Sequence, residues 1–184
     1  MRIVGGIHKG RPLHAPKGRD TRPTSDRARE AMFNVLEHLA EGPGLNGANV
    51  IDVFAGTGAL GLEALSRGAN HITFVENNRS ALKSLSDNIQ TLKAINATTV
   101  LSIKASALQD APQPVDYAFL DAPYDKGLTE PALLALINGN WLAPGAVLMV
   151  EIAAQESINL PSQLSVIKEK KYGAAKALFL INQD

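Results

Sequence analysis

At 184 residues, with 45% hydrophobic and 20% charged residues and a formal net charge of zero, the chain has the size and composition of one globular α/β domain with a substantial core. It contains no cysteine, which excludes a disulfide framework, thiolate metal sites and cysteine nucleophiles and fits a reducing compartment. No apolar run approaches the roughly 18 residues of a membrane span, and Met1–Gly6 lacks the apolar core of a secretion signal, so a cytoplasmic protein is expected.

The zero charge hides an asymmetry. Residues 1–30 carry eight bases against three acids, so the rest of the chain is acidic. A basic arm on an acidic body suits a polyanion, although a solubilising terminus has the same composition.

In chain order, Arg2–Val4 and Arg11–Ala15 are expected to pair as a small hairpin around Gly5, Gly6 and Gly10. From Ser25 the period changes to helical, with Ala28, Ala31, Met32, Val35, Leu36 and Leu39 on one face and Thr24 or Ser25 as N-cap. Strands and helices then alternate. Strands are expected at Val50–Phe54, His71–Val75, Thr99–Ile103, Val115–Leu120 and Ala146–Ile152. Helices are expected at Leu60–Arg67, around Leu82–Leu92 with Asn77 or Asn78 as cap, and at Thr129–Ile137. Leu164–Lys170 and Lys176–Ile181, separated by Tyr172-Gly173, form an antiparallel pair. The pattern predicts an α/β fold, a doubly wound, mostly parallel sheet of seven strands with an antiparallel edge. Its ligand site belongs at the carboxyl ends of the central strands.

Two motifs fall there. Gly56-Thr57-Gly58-Ala59-Leu60-Gly61 follows the first strand and matches the weak GxGxxG pattern of a nucleotide loop, so a nicotinamide enzyme stays in view. Glu76, ending the second strand, suits a ribose hydroxyl pair in either case. Asp52, four residues before Gly56, tilts the reading toward S-adenosylmethionine, because its charge suits an ammonium group and would repel a pyrophosphate.

The second motif is Asp121-Ala122-Pro123-Tyr124. Methylating an aromatic amine needs hydrogen-bond acceptors that redirect a delocalised lone pair. The Asp121 carboxylate and a backbone carbonyl can supply them. Pro123 holds Ala122 extended and aims that carbonyl, and Tyr124 can stack on an extruded base, worth ~1–3 kcal/mol. In-line transfer needs positioning and electrostatics rather than a covalent intermediate, so the lack of cysteine argues only against C5 methylation of pyrimidines. Four scattered histidines offer no metal-ligand spacing, and no metal is expected.

Arg2-Ile3-Val4-Gly5-Gly6 with Lys9-Gly10-Arg11, the block Arg22-Pro23-Thr24-Ser25-Asp26-Arg27-Ala28-Arg29-Glu30-Ala31-Met32-Phe33-Asn34-Val35-Leu36, the loop from Asp52 to Gly68, and Asn140–Gly145 together resemble the RsmD family of bacterial 16S rRNA guanine-N2 methyltransferases. The similarity runs almost end to end, and the Arg-Pro-Thr block is its most distinctive part. The resemblance implies a Rossmann-like class I methyltransferase domain over residues 21–184, with residues 1–20 as a basic RNA-contacting extension. It implies S-adenosylmethionine held by Arg22, Thr24, Asp52, Phe54, Gly56, Thr57, Gly58, Glu76, Asn77 and Ser106, and guanine N2 held by Asp121, Ala122, Pro123 and Tyr124. It further implies contact of Arg2, Lys9, Arg11, Lys17, Arg19 and Arg27 with 16S rRNA in a partly assembled small subunit, by a monomer. Two positions depart from the family pattern. Ala122 stands where a first proline is usual, and Ser106 stands where an acid commonly meets the adenine amine, with Asp110 too far along. DNA adenine N6, protein glutamine, or a SAM- and RNA-binding module without turnover are the alternatives.

Overall fold

The computed structural model describes residues 1–15, 25–39, 41–124 and 126–184. Lys17, Arg19, Arg22 and Thr24 lie outside them.

Helix α1 spans Asp26–Glu37, capped by the Ser25 side chain, which accepts the Ala28 N–H at 3.1 Å. Strand β1 (Asn49–Val53) is buried on both faces from Val50 onward, the apolar run a central parallel strand requires. Helix α2 (Ala59–Ser66), strand β2 (His71–Val75), helix α3 (Arg79–Thr91), strand β3 (Thr98–Leu101) and strand β4 (Val115–Asp121) follow. Helix α4 (Thr129–Asn138) and strands β5 (Leu142–Ala153), β6 (Leu164–Tyr172) and β7 (Ala175–Asn182) complete the chain. Asn78, not Asn77, caps α3, accepting from the Ser80 and Ala81 N–H groups.

The seven strands form one sheet in the order β3-β2-β1-β4-β5-β7-β6. β1 through β5 are parallel, and β7 and β6 add the antiparallel edge. One face packs Phe33, Leu62 and Leu85 from α1, α2 and α3 on Tyr117, Phe119, Met149 and Phe179. The other packs Ala132, Leu133 and Leu136 of α4 with Trp141 on Ala118, Leu120, Leu148 and Val150. β5 begins four residues before the expected Ala146. Its register against β4 shifts between Val115 and Tyr117, and Pro144 and Gly145 (φ 75°) lie in the extra length, so the pair that reads as a break is a bulge.

The expected N-terminal hairpin closes with a single antiparallel bridge, Arg2 to Pro12, supported by Ile3 N–H to Arg11 O at 2.9 Å and Leu13 N–H to Met1 O at 3.0 Å. Gly10 N–H to Ile3 O at 2.8 Å and two bonds within the turn complete it; it is shorter than two strands because other N–H groups of the segment bond to the body of the protein. Val4 N–H donates to Glu63 at 2.8 Å, Ile7 N–H to the Ser66 carbonyl at 2.8 Å, and His8 N–H to the Ser66 hydroxyl at 2.9 Å. Ile3 and Leu13 are buried in the core.

Candidate active site

The strand order reverses between β1 and β4, and a cleft of about 900 Å³ opens at their carboxyl ends, where a doubly wound sheet places its ligand. The chain leaves β1 through three positive φ angles in five residues: Phe54 (66°), Gly56 (55°) and Gly58 (79°). For phenylalanine this conformation is strained, by an amount of order 1–3 kcal/mol. A Cβ on Gly58 would lie 2.4 Å from Leu85 Cδ1, and one on Gly61 2.4 Å from Phe74 Cε1, so these glycines let α2 pack hard against the sheet.

Gly58 caps α2 without a side chain. The missing cap comes from β1: Asp52 Oδ2 accepts the Gly61 N–H at 2.8 Å. That carboxylate occupies an amide at the helix N-terminus that a pyrophosphate would otherwise use, which disfavours the nicotinamide reading. Glu76 organises the other side. Its Oε2 accepts the Gly56 N–H at 2.8 Å, and Oε1 accepts those of Asn77 and Asn78, each at 2.7 Å.

Asp52 is 1% exposed, and its carboxyl is raised well above the usual carboxylate range. Burial is the main cause. The Gly61 N–H opposes it, and the charges of Asp121 and Glu76 add to it. A site with three carboxylates around one cleft favours a cationic ligand. The proton on Asp52 contributes stability that is fully present below the ordinary value of 3.8 and is lost as pH rises through the raised folded value. Asp52→Asn, which keeps an oxygen for Gly61, should therefore raise the urea midpoint increasingly with pH, read from about pH 5 to about pH 9. Parallel midpoint curves for the two proteins would remove Asp52 as the source.

The cleft gathers most of the residues expected from sequence. Asp52, Phe54, Gly56, Thr57, Glu76, Asn77 and Ser106 line it together with Asp121, Ala122, Pro123 and Tyr124. Gly58 does not line it and instead faces Leu85 and Phe74. Asp110 is also not among the lining residues. Arg2, Lys9, Arg11 and Arg27 are exposed on the surface outside the cleft.

Three contributors were not among the expected site residues. Met1 and Arg29 line the cleft, and Glu151 accepts the Tyr124 hydroxyl at 2.6 Å. Glu151 stands beside Asp121 in the β4–β5 register; a lone acid interrupting the apolar run of β5 was the available signal. A further link joins the arm to the glycine loop. Buried Asn88 accepts the His14 N–H at 2.7 Å and donates to the His14 carbonyl at 3.0 Å and the Thr57 carbonyl at 2.9 Å.

Residues 1–181 match the family model described as conserved hypothetical protein 95. Ribosomal RNA small subunit methyltransferase D of Escherichia coli K12 is 40% identical over 174 residues, 94% of this chain and 85% of that protein. The protein of that name from Haemophilus influenzae is 36% identical over 178 residues, covering 94% and 89%. A solved structure, the putative methyltransferase yhhF from Escherichia coli, superposes with a TM-score of 0.86 at 36% identity, covering 100% of this chain and 98% of that one. A doubly wound sheet with an acidic cleft at its switch point, matched over nearly its whole length to methyltransferases, identifies the enzyme class, and the chain belongs to the RsmD family.

Proposed function

We propose that the enzyme transfers a methyl group from S-adenosylmethionine to the exocyclic N2 of a guanine in 16S rRNA. The observation that carries this reading is one cleft onto which both the Asp52 loop and the Asp121–Tyr124 clamp open. The names of the relatives point to the small-subunit rRNA.

The residues fit the cofactor. Glu76 offers a carboxylate to its hydroxyls, Asp52 gives up its proton as the cationic end approaches, because a nearby positive charge favours the ionised form, and Phe54, Val75, Leu60 and Ile103 give the cleft apolar walls. When bound, S-adenosylmethionine supplies an electrophilic methyl group. Asp121 and the Ala122 carbonyl accept the two N2 protons and direct the lone pair toward it, and the Asp121 carboxylate takes the proton that N2 releases. Tyr124, tethered to Glu151, presents its ring to the base. Ala122 is buried, so its packing stiffens the clamp where a proline is missing. Ser106 offers the adenine amine one uncharged acceptor.

Residues 1–20 serve in this reading as the RNA-contacting extension of the domain over 21–184, which acts as a monomer in the cytoplasm on a partly assembled subunit. Lys9 and Arg11 stand exposed beside the turn, whereas Arg2 pairs with Asp26 at 3.4 Å. Converting Lys9 and Arg11 to glutamine should flatten the plot of log affinity against log salt by about 1.4, near 0.7 for each contact to a single strand. An unchanged slope would take the arm out of the interface.

The direct test is transfer from labelled S-adenosylmethionine to undermethylated small subunits, followed by nucleoside analysis. N2-methylguanosine is the expected product. Label in adenine or in protein instead would overturn the substrate while keeping the chemistry.

A further inference from the structure

The chain has a second concentration of positive charge. Residues 164–176 hold four lysines and one glutamate, while everything outside this segment and residues 1–30 holds six bases against fourteen acids. The four lysines lie on the β6–β7 hairpin. Lys168, Lys170 and Lys171 are exposed and Lys176 is half-buried.

Their placement is tied to the clamp. Asp121 is registered with Glu151, Glu151 with Ala177, and Ala177 with Lys170. Residues paired across a sheet share a face, so Asp121, Glu151 and Lys170 stand in one row on one side. Three strand spacings separate its ends, about 14 Å. Two residues along β6 on the same face, Tyr172 lies under Lys170, whose Nζ is 5.7 Å from the ring centroid. The Tyr172 hydroxyl is buried with no hydrogen-bond partner among the described residues.

Lysines on an edge strand commonly block edge-to-edge pairing, but that role accounts for only part of the pattern. On the opposite face of the hairpin, Lys171 is paired directly with Lys176, and like charges facing across strands are destabilising. Lys176 belongs to β7, an interior strand, where edge protection gains nothing from it. A bound polyanion would relieve this repulsion.

We propose that the β6–β7 hairpin is a second RNA ledge: Lys168 and Lys170, on the face that carries Asp121, receive phosphates of the single strand that flanks the target base, and Lys171 and Lys176, on the opposite face, extend the charge around the sheet edge. The inference rests on the rRNA reading above and adds a surface to it. The basic arm and this hairpin then contact the same RNA. An extruded base must bring its neighbouring backbone to the protein, and the ledge lies one short row from Asp121.

The test is the salt dependence of binding to undermethylated small subunits for the parent enzyme, for Lys168→Gln/Lys170→Gln/Lys171→Gln, and for the corresponding triple arginine variant. The glutamine variant should bind at least about tenfold more weakly at physiological salt, with a slope shallower by about 2. The arginine variant should restore both, and S-adenosylmethionine affinity should stay unchanged in all three. Lys171→Gln alone should also raise the urea midpoint. A glutamine variant with the parental slope overturns the proposal, and one that aggregates while keeping that slope assigns the lysines to edge protection instead. If the parent itself shows no salt-dependent binding, the rRNA reading fails, and the ledge with it.

Discussion

Alanine in place of Asp121 should slow methyl transfer by about 10²–10³-fold, the loss typical when one preorganised polar group at a reacting centre is removed. Cofactor affinity should change little, because two effects oppose each other. The cleft loses a negative charge that attracts a cation. At the same time Asp52 ionises more readily, since the Asp121 charge is one of the causes that hold its proton. Asp121→Asn should fall between the two, with one amide oxygen still able to accept from the amine. Single-turnover transfer set beside calorimetric titration of S-adenosylmethionine separates the steps. Near-parental turnover in the alanine variant would remove the carboxylate from the mechanism.

Glu63→Ala should cost about 3–5 kcal/mol of stability, the loss typical of breaking a buried ion pair by removing one partner. Glu63 and Arg29 are fully buried. Oε1 of Glu63 accepts from Arg67 Nε at 2.8 Å, Oε2 accepts the Val4 N–H at 2.8 Å, and the Arg29 Nε lies 3.8 Å away. Arg29 continues to Asp26 at 2.9 Å and to the Arg2 carbonyl. Arg67 continues to Glu37 at 2.9 Å and sits 5.1 Å over the Phe33 ring. Alanine would leave two guanidinium groups and a buried N–H short of an acceptor. For a chain of this size the melting temperature should fall by about 6–20 °C. A fall in unfolding free energy below about 1 kcal/mol, measured in urea, would show that water or rearrangement replaces the carboxylate.

These two residues also mark how far the sequence could be read. Asp121 was legible because a strand's apolar run stops at it and a proline follows, so its place at a carboxyl end needed no tertiary information. β2 was legible in full, from His71 to Val75, because Asn70 and Glu76 bound its apolar run. Glu63 was not. Four residues before Arg67, it looks like half of a surface helical pair. It is buried because the N-terminal segment lies over α2, and no local pattern encodes that. Glu151 was missed for a related reason: its bond to Tyr124 depends on the β4–β5 register, set by contacts across the intervening helix. Gly58 falls outside the cleft lining because GxGxxG does not distinguish a glycine that faces the cleft from one that makes room for a leucine.

The amide of Asn88 bears on how the chain is made. It fastens the backbone of His14, 74 residues earlier, at both its N–H and its carbonyl. During translation at roughly 5–20 residues per second, the arm leaves the ribosome several seconds before that fastening exists. Glu63 and Ser66, which hold the arm's first turn, emerge earlier but still long after it. Contacts so distant along the chain form late in folding. The segment synthesised first is therefore among the last to be fixed, and a newly made enzyme carries a loose basic terminus until α3 has folded onto the sheet.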